Sequence, residues 1–253
     1  MKNNDNLPES KPRISGFFPF LNDWGTIGSL VLGLDSTLQN IASDYEIIVV
    51  DDGSDSSSKN VLRALEKAFP KVRVVTHEKN RGYGGALKSG ISEAKYDWIF
   101  YTDGDAQYDP RDITLLTEKI SPNVDVINGY KIKRSDPFYR KLTGRAYHYV
   151  VKILFRVPIR DTDCDFRLMR RSIFEKVKLE ENTGLICTEM IKKISDAGFK
   201  FEEVPVKHYW RTSGKSQFFN LLRVGQVITG LLGLWYRLVW KPSHYIYGNK
   251  KVN

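Results

Sequence analysis

Tyr45-Glu46-Ile47-Ile48-Val49-Val50-Asp51-Asp52-Gly53-Ser54 is the stretch on which the fold turns. Four consecutive β-branched aliphatics make a strand with no polar face, as expected when helices cover both sides of a parallel sheet. The strand stops at two carboxylates and a Gly-Ser turn, with Ser54 or Asp55 placed to cap the next helix. Upstream, Ile14 to Pro19 reads as the first strand. Ile27 to Ile41 reads as a helix, with Ile27, Leu30, Val31, Leu34, Leu38 and Ile41 on one face. Downstream come a helix over Asn60 to Phe69, a strand over Val72 to Thr76, a helix over Gly84 to Ala94 and a strand over Asp97 to Thr102. A helix over Pro110 to Ile120, with proline in its first turn, leads to a fifth strand over Val124 to Asn128. This alternation predicts an α/β fold: a mostly parallel, doubly wound, Rossmann-like sheet flanked by helices.

The second half differs in character. Phe138 to Phe155 is a basic helical pattern, and Arg167 to Arg170 reads as a strand. Leu185 to Ala197 reads as a helix, Phe201 to Val206 as a strand, and Ser216 to Trp240 as a long apolar-rich helix. No linker rich in Pro, Gly or Ser divides the chain, and no period repeats. The expected organisation is one domain over 14–216, followed by a C-terminal amphipathic helix and tail over 217–253.

Of 253 residues, 41% are hydrophobic and 27% charged, which supports a sizeable core and excludes a disordered chain. The net charge of +9 fits nucleic acid, an anionic membrane or phosphorylated substrates as partners. The basic residues concentrate after Tyr130, whereas most acidic motifs precede it. Cys164 and Cys187 have no metal-ligand spacing and read as free thiols in a reducing compartment. Met1 to Arg13 is polar and carries no apolar leader, so a cytoplasmic chain is expected.

In doubly wound sheets, ligands bind beyond the C-terminal ends of the strands. Polar clusters stand at those ends: Asn22-Asp23, Asp51-Asp52 and Asp103-Gly104-Asp105. Asp103-Gly104-Asp105-Ala106-Gln107 puts two carboxylates and an amide on one tight turn. Hard divalent cations take oxygen ligands, and Mg²⁺ takes one or two carboxylates together with substrate phosphates. Asp103, Asp105 and Gln107 are therefore the candidate metal ligands, for Mg²⁺ or Mn²⁺. The same carboxylates argue against nucleic acid as partner. Asn80-Arg81-Gly82-Tyr83-Gly84-Gly85-Ala86 is glycine-rich but not a dinucleotide fingerprint, because Leu87 stands where a third glycine belongs. Arg81 or Lys88 could face phosphate there.

Taken in order, these motifs resemble family 2 glycosyltransferases of the GT-A fold, and more narrowly the dolichyl- or polyprenyl-phosphate mannosyl- or glucosyltransferases. The resemblance runs from Pro19-Phe20-Leu21-Asn22-Asp23 through Val50-Asp51-Asp52-Gly53-Ser54, the Gly82 to Ala86 loop with Gly90, and Asp103 to Gln107. It continues through Asp161 to Arg171 and Glu203-Val204-Pro205-Val206 to Arg211-Thr212-Ser213-Gly214-Lys215-Ser216. It implies an inverting, metal-dependent transfer of a hexose from a GDP-mannose or UDP-glucose type donor to a polyprenyl phosphate. It also implies donor binding by Pro19, Asp23, Asp51, Asp52, Gly82, Ala86 and Asp103, with Asp105, Arg167 and Arg211 catalytic. Arg140, Arg167, Arg211, Lys215 and Ser216 would hold the phosphate of the acceptor, since guanidinium forks bind phosphate bidentately.

Two other enzyme readings stand beside this one. Transfer to a saccharide hydroxyl needs a general base, for which Glu189 is the candidate; otherwise Glu189 is a helix-surface carboxylate paired with Lys192 or Lys193. A sugar-1-phosphate nucleotidyltransferase would open with a Gly-rich loop after the first strand, which Phe17 to Trp24 lacks. In the C-terminal helix, the 13 uncharged residues from Val224 to Tyr236 fall short of the roughly 20 that span a bilayer. Aromatic and basic flanks suit a helix lying in the membrane interface, or one packed on the domain or in a dimer.

Overall fold

The computed structural model describes residues 11–134, 148–210 and 221–241. Seven strands form one sheet: β1 (Arg13–Phe20), β2 (Asp44–Asp51), β3 (Val72–Thr76), β4 (Trp98–Thr102), β5 (Val126–Arg134), β6 (Phe166–Arg170) and β7 (Phe201–His208). Their order is β3-β2-β1-β4-β6-β5-β7. The first four strands are mutually parallel, and β5 pairs parallel with β7. The exception is β6, which runs antiparallel to both β4 and β5. The sheet is thus mostly parallel, as the alternation predicts, with one reversed strand. The consequence is geometric: Phe166 at the start of β6 pairs with Thr102 at the end of β4.

Strands β1, β2 and β4 are buried nearly throughout because both faces are covered. Phe18, Ile47 and Val49 point to one side, toward α1 (Trp24–Ile41), α2 (Ser56–Ala68) and α4 (Ile113–Thr117). Phe17, Ile48 and Val50, one residue out of phase, point to α3 (Tyr83–Glu93), α6 (Ile173–Lys176) and α7 (Ile186–Asp196). A third cluster lies outside this sandwich. It joins helix 148–155, here α5, to α7 and to α8 (Leu221–Trp235) through Val151, Phe155, Ile191, Leu231 and Leu234.

Several element boundaries differ from the sequence pattern for local reasons. Helix α1 starts three residues early because the Asp23 carbonyl accepts from Thr26 N and Ile27 N. Helix α2 starts at Ser56 because the Asp55 side chain accepts from Ser58 N at 2.8 Å. The expected helix over Pro110 to Ile120 is a 3₁₀ turn, Pro110–Asp112, followed by the short α4. Helix α8 ends in a π-helical turn, Tyr236–Trp240, closed by Lys241 N donating to Tyr236 O at 2.8 Å.

Helix α3 lies so close to β1 that a Cβ on Gly90 would sit 2.4 Å from the Phe17 ring. Overpacking of this kind costs about 1–3 kcal/mol. Gly90→Val should therefore lower the thermal midpoint, by roughly 2–4 °C per kcal/mol for a chain of this size. A calorimetric scan with an unchanged midpoint would contradict this packing.

Candidate functional site

The C-terminal ends of β1, β2 and β4 form a polar shelf. Asp51 ends β2 and Asp52 follows it; they are 0% and 3% exposed. Asp51 Oδ1 accepts from Ser54 N at 2.9 Å, while its Oδ2 is buried with no hydrogen-bond partner. Asp52 Oδ1 accepts from Arg81 N at 2.7 Å and lies 2.6 Å from His77 Nδ1. His77 Nε2 is in turn 2.8 Å from Ser89 Oγ on α3. If Ser89 donates to Nε2, the Nδ1–H is left to donate to Asp52. Nothing in the motif spacing singles out His77, which reaches Asp52 only once β3 lies beside β2. Asn22, in a left-handed conformation (φ 59°), ties β1 to the same turn. Its N–H donates to Ser54 Oγ, and its Oδ1 accepts from Asp55 N. Asp23 sits at the N-cap of α1.

The Asp103-Gly104-Asp105 turn is fixed from two sides. Thr26 Oγ1 donates to Gly104 O at 2.6 Å, and Tyr83 Oη donates to Asp103 Oδ1 at 2.7 Å. Burial, with Asp103 and Asp165 close by, raises the Tyr83 hydroxyl well above its usual range, so it remains a donor. Asp105 Oδ1 accepts from Gln107 N at 3.0 Å. Two carboxylates flanking one immobilised carbonyl fit a cation that also takes oxygens from a bound diphosphate. Among the described residues, no cluster of three His, Cys, Asp or Glu could hold a metal unaided. The Gln107 side chain donates to Tyr209 O at 3.3 Å, and Tyr209 N donates back to Gln107 O at 2.9 Å. The chain that continues toward Arg211 therefore departs from this turn.

Residues 180–182 wall the shelf beside α3. Asn182 O accepts from Gly84 N at 2.9 Å, and a Cβ on Gly82 (φ 81°) would lie 2.5 Å from the same oxygen. Only glycine fits there, so Gly82 serves the close approach of this wall. Lys88 donates to Glu180 O and Asn182 Oδ1, so its ammonium holds the wall. The Ala86 side chain is 2% exposed and packs in the cluster of Phe17, Val50 and Ile99; Pro19 lies within β1.

Glu189 is neither a surface carboxylate nor placed as a general base. It is 0% exposed and accepts two backbone N–H groups: that of Glu180, shared between its two oxygens, and that of Glu181. It also pairs with Lys193 at 2.6 Å, while Lys192 pairs with Asp196. Its carboxylate holds the 180–182 wall from behind.

Arg167 is also more enclosed than a phosphate-binding role anticipates. It is 0% exposed, and its guanidinium donates to Asn128 Oδ1 (2.6 Å), the Tyr101 hydroxyl and the Thr162 carbonyl. Asp165 lies alongside: its Oδ1 accepts from Tyr101 Oη at 3.3 Å, Cys187 Sγ at 3.1 Å and Arg167 Nη1 at 3.5 Å. Its side chain is 17% exposed. Sequence reading missed Asp165 because it was one of three aspartates in 161–165; its place at the start of β6 distinguishes it. Cys164 and Cys187 are free and buried, and burial pushes the Cys164 thiol up to about 12. Arg140, Arg211, Lys215 and Ser216 lie outside the described residues.

Residues 18–178, 161 of the 253, match the family model described as Glycosyl transferase family 2. Dodecaprenyl-phosphate galacturonate synthase of Rhizobium johnstonii is 27% identical over 95% of this chain and 72% of its own length. Glycosyltransferase AglD of Haloferax volcanii is 27% identical over 90% of this chain but 38% of its own. Undecaprenyl-phosphate 4-deoxy-4-formamido-L-arabinose transferase of Erwinia tasmaniensis is 29% identical, covering 83% and 64%. The chain thus spans less than two thirds of the latter two relatives. In fold it resembles mannosyltransferase PcManGT from Pyrobaculum calidifontis, in complex with GDP-Man and Mn²⁺ (TM-score 0.61, 20% identity, 83% of this chain and 59% of that one). It also resembles glucosyl-3-phosphoglycerate synthase from Mycobacterium tuberculosis, in complex with Mn²⁺, UDP and phosphoglyceric acid (TM-score 0.69, 17%, 88% and 78%).

Removing one member of a buried ion pair strands the other, at a cost of about 3–5 kcal/mol. Glu189→Ala should lose stability on that scale in urea denaturation, because the Glu180 and Glu181 amides lose their acceptor and Lys193, still held by Lys178 O and Glu180, loses its 2.6 Å ion pair. A variant as stable as the parent but unable to turn over donor would instead return Glu189 to the chemistry.

Proposed function

Given that this chain belongs to glycosyl transferase family 2, we propose that it transfers a hexose from a nucleotide-sugar donor to a polyprenyl phosphate, with inversion at the anomeric carbon. The observation that carries this reading is the buried Asp51 oxygen without a partner, on the same shelf as the Asp103-Gly104-Asp105 turn. An unsatisfied buried acceptor costs about 1–3 kcal/mol, and an N–H of a nucleotide base would relieve it. Asp52, held by His77 and Arg81, and Asp23 at the head of α1 complete the donor side.

Asp103 and Asp105 would hold Mg²⁺ or Mn²⁺ with the donor diphosphate, with the Gln107 side-chain amide oxygen as a further ligand. When bound, the ion neutralises charge that builds on the departing diphosphate. A lipid phosphate oxygen attacks the anomeric carbon from the face opposite the diphosphate. The new C–O bond forms as the bond to the diphosphate breaks, so an α-linked donor gives a β-linked product. A phosphate monoester is mostly dianionic at neutral pH, its second pKa being about 6, and needs no general base. The sequestered state of Glu189 supports such an acceptor over a saccharide hydroxyl. Arg211, Lys215, Ser216 and Arg140 would meet the acceptor phosphate, with Arg167 organising Asp165 and Tyr101 behind it. Donor and acceptor would meet at the cytoplasmic face of a membrane.

A nucleotide-sugar panel, assayed with and without a polyprenyl phosphate, tests the reading directly. Asp103→Asn and Asp105→Asn should each lower turnover by about 100-fold or more. Asp51→Ala should weaken UDP or GDP binding by about tenfold or more in calorimetry, the worth of a buried hydrogen bond to a carboxylate. Nucleotide binding that ignores both a chelator and these substitutions would overturn the proposal.

A further inference from the structure

A carboxylate can offer a cation one oxygen or both, and what the protein bonds to each oxygen biases the choice. Both acids of the Asp103-Gly104-Asp105 turn have one oxygen engaged. Asp105 Oδ1 accepts from Gln107 N at 3.0 Å, a local bond that closes the turn over Ala106, which is left-handed at φ 60°. Asp103 Oδ1 accepts from the Tyr83 hydroxyl at 2.7 Å, a bond that spans 20 residues and comes from the head of α3. The reach of Tyr83 is fixed. Its ring packs on the core cluster between the sheet and α3 and α7. Its neighbours Gly82 and Gly84 lie against the 180–182 wall, where added Cβ atoms would each sit 2.5 Å from a wall carbonyl. Gly84 N donates to Asn182 O at 2.9 Å, and Lys88, further along α3, holds the same wall.

Divalent ions differ in what they ask of a carboxylate. Mg²⁺ demands a near-ideal octahedron, a shape that Mn²⁺ also accepts. The two oxygens of one carboxylate are too close together to fill adjacent octahedral positions without distortion, so each acid gives such an ion one oxygen. Ca²⁺ takes more oxygens in a looser shell and binds carboxylates through both. At this turn Ca²⁺ must compete with the Tyr83 hydroxyl for Asp103 Oδ1, whereas an octahedral ion need not.

We propose that Tyr83 makes this site select Mg²⁺ and Mn²⁺ over Ca²⁺, by keeping Asp103 a one-oxygen ligand. Tyr83 is a positioning residue in this role, acting on the ion through Asp103. The inference rests on the reading of Asp103 and Asp105 as ligands of a divalent ion. It is independent of the sugar and of the acceptor.

Calorimetric titration of Mn²⁺, Mg²⁺ and Ca²⁺ into the full chain with UDP or GDP tests it, each corrected for the ion's binding to free nucleotide. The parent should bind Mn²⁺ and Mg²⁺ at least about tenfold more tightly than Ca²⁺. Tyr83→Phe should shrink that ratio by about tenfold, the scale on which bonds to a ligating carboxylate act on metal affinity. Thr26→Val removes a different tie to the turn, at Gly104 O, and leaves the Tyr83 bond in place. It should weaken all three ions in proportion and keep the parent's ratio. A further readout needs no variant: in the parent, the magnetic resonance signal of the Tyr83 ring should move further on saturation with Ca²⁺ than with Mg²⁺. The proposal falls if Tyr83→Phe keeps the parent's ratio, or if the two ions move the Tyr83 signal alike. It also falls if Thr26→Val shifts the ratio as far as Tyr83→Phe does, because rigidity of the turn would then select the ion. A parent that binds the three ions equally overturns the role of Tyr83 alone. A parent that binds none of them with either nucleotide overturns the metal reading itself, and this inference with it.

Discussion

A carboxylate taken out of water must be given N–H groups, and this protein gives backbone ones. Asp51 takes Ser54 N, Asp52 takes Arg81 N, and Asp105 takes Gln107 N. Glu189 takes the amides of Glu180 and Glu181. Such bonds to a charged acceptor are roughly twice as strong as neutral ones. They also make each acid a clamp on the loop that supplies the amide. The loops at the strand ends therefore hold their shape because their acids need them.

Two levels of organisation meet in this shelf. The parallel half, β3-β2-β1-β4, brings Asp51, Asp52 and Asp103 to one edge through register alone: Asp51 lies beside Phe20 and Thr76. The wall at 180–182 arrives from the other half of the chain and closes on glycines that admit it. Tyr83 joins the two by standing on α3 and bonding Asp103. A change in the wall is therefore felt at the Asp103-Gly104-Asp105 turn through only a few contacts.

Much of this was legible in the sequence. Ile47 to Val50 announces a strand covered on both faces, and acids directly after a strand mark its C-terminal edge. Asp103-Gly104-Asp105 and its companions are local in sequence, so their order carried the family resemblance. What stayed hidden depends on partners far along the chain. Glu189 looks like any helical glutamate until the 180–182 backbone folds over it. Arg167 looks like a free cation until Asn128, Tyr101 and Thr162 surround it. His77 becomes notable only beside Asp52, 25 residues away. The reversed direction of β6 has no signature, because five residues of Phe-Arg-Leu-Met-Arg would read the same either way.

That reversal has an evolutionary reading. A strand running with its neighbours would send its leading residues to the far end of the sheet. Running against them, β6 delivers 161–165 to the edge where β4 ends, so two stretches distant in the chain share one rim. The parallel half brings Asp51, Asp52 and Asp103 to that rim, and the segment before β6 brings Asp165. Each stretch can drift with little disturbance to the other's backbone pairing. A sheet of this kind can admit new side chains at one part of its rim while the rest of the rim keeps its backbone frame.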